Sequence, residues 1–110
     1  MNQDNVSRED MLFHGKAAVM FTERVDALNE TILEQCEVMQ AHLDQFMGEV
    51  RSLERAQRTD EAAAAFELGR IESEAMGEQI TNLSRMRDDY ARTAEQERDT
   101  FQRMCAALKK

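Results

Sequence analysis

The side chains that could do chemistry in this chain are few and do not cluster. There are two histidines, His14 and His42. A zinc-binding helix sets two histidines four residues apart, and a carboxylate-bridged iron bundle uses Glu-x-x-His, so that the ligands share one helix face. His42 instead has Val38, Met39, Gln45 and Phe46 as its three- and four-residue neighbours, and His14 has Asp10 four residues before it and no second helical partner. That spacing predicts no metal site and no cofactor. Ser7, Ser52, Ser73 and Ser84 have no histidine nearby in sequence to activate them, and there is no CxxC pair or glycine-rich phosphate loop. Carboxylates are plentiful, but carboxylates spread along helix surfaces are not a poised acid–base pair. Catalysis is not expected.

The elements that must position these residues are legible as two apolar ladders. The first runs Ala18, Phe21, Val25, Leu28, Ile32, Cys36, Met39, Leu43, Phe46, Val50, Leu53, and the second Ala65, Leu68, Ile71, Met76, Ile80, Leu83, Met86, Tyr90, Ala94, Phe101, Met104, Leu108. Their steps, mostly of three and four, place side chains on one stripe of an α-helix. Between them lies the polar stretch Gln57-Arg58-Thr59-Asp60-Glu61, and the chain has no proline and only four glycines. The expected fold is all-α: an antiparallel, coiled-coil-like two-helix hairpin in one domain, 7–110, with helices over about 7–56 and 61–108, a turn at 57–60 and a loose tail over 1–6. The rival is one uninterrupted helix in a parallel coiled coil.

Local signals refine that outline. Ser7, followed by Arg8-Glu9-Asp10, suits a helix start. Gly15 leaves two options: a separate short helix over Arg8–His14, or one continuous helix through the glycine. Gly48 is flanked by Phe46 and Val50, so the helix is expected to continue through it, whereas Gly69 and Gly77 mark bends or close contacts. Thr59 or Asp60 can cap the second helix, but no Gly or Asn closes the first. Cys36 and Cys105 fall on ladder positions, facing roughly Ile80 and Leu12 in a hairpin. They would then stand about 35–40 Å apart at 1.5 Å per residue, too far for one chain to bridge. Buried free thiols are expected, with a disulfide across a symmetric dimer as the alternative.

Two helices leave apolar surface uncovered. Met11, Leu12, Phe13, Ala17, Ala18, Val19, Met20 and Phe21 spread around most of the helix, and the hairpin brings Phe101, Met104, Cys105 and Leu108 opposite them. The candidate partner-binding residues are Met11, Leu12, Phe13, Val19, Met20, Phe21, Phe101, Met104 and Leu108. Burying one large apolar side chain contributes roughly 1.5–3 kcal/mol, so a handful suffices for association. The expectation is a dimer completing a four-helix bundle, or docking onto a helical partner. The alternative is a short N-terminal helix folding back over the patch. Eight methionines allow an adaptable groove or ordinary core filling.

Charge is uneven along the chain. From Val25 to Val50 there are six acids, Asp26, Glu30, Glu34, Glu37, Asp44 and Glu49, and no Lys or Arg. These form a candidate acidic face, either merely solvated or steering a basic partner. With a net charge of −8 and no basic stripe, direct binding of nucleic acid is not expected. Apolar runs are far shorter than the ~20 residues of a bilayer span, and the polar start Met1-Asn2-Gln3-Asp4-Asn5 has no signal-peptide pattern, so a cytoplasmic location without a membrane span is expected.

Phe46-Met47-Gly48 is similar to the aromatic-x-Gly motif of the small helical-hairpin proteins exported by type VII secretion. In that family the motif lies in the turn between the helices, whereas here it sits inside a ladder continuing through Val50 and Leu53. The family's tail signal, a Tyr with an acid four residues later, is not matched, because Tyr90 is followed there by Ala94. The resemblance implies a small exported hairpin or its secretion chaperone.

These readings converge on a non-catalytic helical interaction module: an adaptor, assembly factor, small chaperone or structural subunit. Its rivals are a small acidic inhibitor that occupies a basic, nucleic-acid-binding surface of a target, and the exported hairpin.

Overall fold

The computed structural model describes residues 3–109, with side chains from residue 8 onward. Two long helices, α1 (Gln3–Arg55) and α2 (Thr59–Leu108), pack against each other as a hairpin, with no strand among the described residues. α1 begins at Gln3, so helix replaces the loose tail expected over 3–6. Adding a residue to an existing helix needs only one more hydrogen bond, and extension does not require a cap. Met1 and Asn2, the Ser7 side chain proposed as the cap, and Lys110 at the far end lie outside the described residues. α1 also passes unbroken through Gly15 and Gly48, so Arg8–His14 is not a separate helix and cannot fold back over the apolar patch.

The turn is closed without glycine. Gln57 N–H donates to the Glu54 carbonyl at 3.0 Å, and Arg58 N–H donates to the Leu53 carbonyl at 2.9 Å. These are the paired bonds of a Schellman ending, which places one residue in the left-handed region, and here Gln57 takes that place at φ 60°. α2 then starts as Ala62 N–H donates to the Arg58 carbonyl at 2.9 Å. Thr59 and Asp60 therefore lie within the first turn of α2 and do not precede it as caps. Asp60 and Glu61 sit at the positive end of its dipole.

The chain divides into two compact units. The turn-end unit comprises Glu30–Ser84 and the open-end unit comprises Met1–Asn29 with Arg85–Lys110. In the turn-end unit Phe46, Val50 and Ala62 are buried, with Leu43, Met47, Leu53 and Ala65 packed around them. Here the seam of α2 departs from its apolar ladder. Leu68 and Ile71 are more than half exposed, while Ala62 and Gly69 are buried and Ala65 and Ser73 half-buried. The cause is Phe46, whose ring lies against Gly69; a small residue on α2 is needed where so large a ring meets the opposite backbone. Cys36 is likewise exposed, not buried. The two successive steps of four, Leu28–Ile32–Cys36, carry it off the contact stripe, and Gln35 is half-buried in its stead.

In the open-end unit Ala17 is buried, and large side chains bridge the helices around it. Phe21 stacks on Tyr90 with ring centroids 5.9 Å apart, and the Arg24 guanidinium lies 5.4 Å from the first ring and 5.5 Å from the second. Phe101 packs on Gly15, Cys105 Sγ lies 3.4 Å from Met11 Sδ, and Arg87 donates to the Asn29 side chain at 3.3 Å. No side chain in either unit is completely shielded from solvent among those described.

Candidate interaction surface

A broad concavity lies on one flank of the open-end unit. It is an open trough of about 1120 Å³, lined on α1 from Leu12 to Val25 and on α2 from Ala91 to Phe101. Its origin is steric. Gly15, Ala18, Ala91 and Ala94 project one carbon or none beyond the backbone, so the space beside them stays empty. Leu12, Val19 and Met20 border the same space and are 53%, 59% and 41% exposed. Apolar side chains left in water beside an unfilled hollow favour burial by an apolar partner surface.

The nine residues singled out as partner-binding separate into two sets in this unit. Leu12, Phe13, Val19, Met20 and Leu108 are exposed. Met11, Phe21, Phe101 and Met104 are half-buried, and the first three make the bridging contacts described above. Of the exposed set, Leu12, Val19 and Met20 line the trough; Phe13 turns its ring edge to His14, centroids 5.4 Å apart. Gly15, Ala18 and Ala94 were read in the sequence only as helix and ladder positions, and Ala91 and the charged residues on the rim, Lys16, Glu23, Glu95 and Arg98, were not singled out there. The available signal was the pairing of Ala91 and Ala94 on α2 with Gly15 and Ala18 on α1, which leaves little side-chain volume on either side.

All six residues of the candidate acidic face, Asp26, Glu30, Glu34, Glu37, Asp44 and Glu49, are exposed. Asp44 accepts a hydrogen bond from Gln40 at 3.0 Å. Elsewhere on the turn-end unit Arg70 contacts Glu67 and Glu74, both at 2.5 Å; its hydrogen bond holds the Glu67 carboxyl below the usual carboxylate range, and the two carboxylates raise Arg70 in turn.

Each histidine reaches across to the other helix within its own unit. His14 Nδ1 meets the Glu97 carboxylate in the open-end unit. In the turn-end unit His42 Nε2 lies 3.3 Å from Glu72 Oε2 without hydrogen-bond alignment. No group of three or more His, Cys, Asp and Glu is placed to hold a metal ion among the described residues. No described helix is long and apolar enough to cross a membrane. Phe46-Met47-Gly48 lies in the interior of α1, which continues to Arg55, and not in the turn. Comparison with protein-family models, curated proteins and solved structures gave no match.

Proposed function

We propose that this chain is a non-catalytic helical interaction module, an adaptor, assembly factor or structural subunit, that works by burying the apolar trough of its open-end unit against another protein surface. The observation that carries the reading is the exposure of Leu12, Val19 and Met20 beside the unfilled volume left by Gly15, Ala18, Ala91 and Ala94. Helix-on-helix burial of such a face is the way amphipathic helices associate, each apolar anchor entering a gap on the facing surface. Photo-crosslinking in cells tests it: a photoreactive residue replacing Val19 is expected to give protein adducts, and one replacing Glu34 is not. A position 19 that gives no adduct with any protein, including this one, sinks the reading.

A second reading is supported by the charge of the turn-end unit, whose five exposed candidate-face acids from Glu30 to Glu49 have no Lys or Arg between them. In that reading the unit occupies a basic, nucleic-acid-binding surface of a target. Such binding would weaken steeply between low and physiological salt, whereas apolar docking at the trough would change little. The exported-hairpin reading has less support, because its aromatic-x-Gly motif lies within a helix.

A further inference from the structure

We infer that the occupant of the trough is a second copy of this chain, seated trough to trough with its helices running in the opposite direction. This rests on the interaction-module reading and names its partner. Net charge favours that meeting place. The open-end unit contains ten acids and ten basic residues, whereas Glu30–Ser84 contains twelve acids against only Arg51, Arg55, Arg58 and Arg70. The whole net charge of −8 therefore belongs to the turn-end unit. Two copies meeting through turn-end units repel, but two meeting through open-end units carry no net charge to each other.

The rim of the trough is self-complementary. Lys16 and Arg98 stand level across it, since His14 meets Glu97 and Gly15 meets Phe101. Glu23 lies two turns further along α1, a rise of about 10 Å, and Glu95 lies about one turn along α2 in the same direction. Cations thus precede carboxylates along the trough. A two-fold axis near Val19 and Met20 sets Lys16 of each copy level with Glu23 of the other, an isologous pairing of opposite charges on α1. On α2 each Arg98 stands about 6 Å along the axis from the other copy's Glu95, a gap that its long side chain spans, and so lies where it can offset the approach of the two Glu95 near the axis. Among the described residues the ion pairs of Arg98 are long, 4.0 Å to Glu95 and 3.9 Å to Asp99, which leave its donors available.

Shape follows the same symmetry. Each copy carries both the projecting Leu12 and Val19 and the hollow beside Gly15, Ala18, Ala91 and Ala94. Facing copies bring Val19 and Met20 of one onto Val19 and Met20 of the other at the axis, beside the hollow, so that each copy's exposed apolar side chains are buried by its partner's.

A charge swap tests the pairing, with absolute mass measured by light scattering behind gel filtration and helix content by circular dichroism. The unsubstituted chain is expected to be a dimer. Lys16→Glu with Arg98→Glu makes the rim wholly acidic, Glu23→Lys with Glu95→Lys makes it wholly basic, and each doubly substituted chain is expected to lose affinity for itself by at least about tenfold, the equivalent of one charge contact worth about 1.4 kcal/mol. Mixed together, the two should recover the dimer mass. All four positions are exposed, so the helix content should be retained. An unsubstituted chain that stays monomeric, or a dimer that neither swap weakens, overturns the second copy as occupant. The module reading is judged separately by the crosslinks at Val19, since adducts with a different protein would preserve it after self-pairing had failed.

Discussion

The ring of Phe46 on α1 occupies the place that a side chain at Gly69 on α2 would fill. A Cβ built on Gly69 overlaps the ring, with even Cε2 only 2.8 Å away, while Phe46 itself is 8% exposed. Phe46 also meets Phe66 edge-on at 6.3 Å between centroids and His42 at 5.5 Å. Within the turn-end unit this contact sets which face of α2 turns inward.

The two glycines of that unit should consequently respond in opposite ways to alanine. Gly69→Ala forces the ring aside, an overpacking cost of about 1–3 kcal/mol that exceeds the ~1 kcal/mol gained in helix propensity. A Cβ at Gly48 meets nothing within 4 Å, so Gly48→Ala should stabilise by about 0.5–1 kcal/mol. Chemical denaturation of both variants checks the pair, and equal shifts would mean that Phe46 moves freely away from Gly69.

Gln57 has a left-handed backbone without being glycine or asparagine, at φ 60°. Relieving that conformation is worth roughly 1–2 kcal/mol, and the added freedom of the unfolded chain returns about 0.4–1 kcal/mol of it. Gln57→Gly is therefore expected to raise the denaturation midpoint modestly, and Gln57→Val to lower it. A lowered midpoint for the glycine variant would contradict the strained closure.

Phe21 and Val19 are two residues apart and should separate folding from association. Phe21 is stacked on Tyr90 between the helices, whereas Val19 is 59% exposed on the trough. Phe21→Glu should cost about 2 kcal/mol or more of stability, from lost burial and an unpaired charge. Val19→Glu should leave the melting curve of the monomer nearly unchanged, within ~0.5 kcal/mol, while reducing mass in light scattering. Reversed behaviour would place the surface on the other face of α1.

The thiols should differ in access. Cys36 is exposed and Cys105 is half-buried beside Met11. A neutral alkylating reagent under native conditions should modify Cys36 first, followed by mass spectrometry of the peptides, and the difference should vanish in denaturant. Equal native rates would mean that Cys105 opens as readily as the surface.

Much of the hairpin was legible in the order of residue types. Helix follows from ladders stepping mostly by three and four without proline, and the fold at Gln57–Glu61 follows from a polar gap no apolar stripe can cross. The identity of the seam was less legible. Leu68 and Ile71 outrank Gly69 and Ser73 in hydrophobicity, yet the latter pair are the less exposed, and at Gly69 the reason is an aromatic ring that approaches from the other helix. The same limit applies to the surface: nine apolar residues were indicated, but which of them touch Tyr90, Gly15 or Cys105 depends on what stands opposite.

The sequence by itself determined two helices, their breakpoint, and the concentration of net negative charge away from the chain ends, because periodicity and charge are properties of residues read in order. Only the tertiary structure decided that Phe21, Phe101 and Met11 bridge the helices while Leu12, Val19 and Met20 stay in solvent, that Cys36 leaves the seam, and that four small residues open a trough. Those outcomes depend on the side-chain volume supplied by the facing helix at each level, and no single-helix pattern encodes its partner's volume.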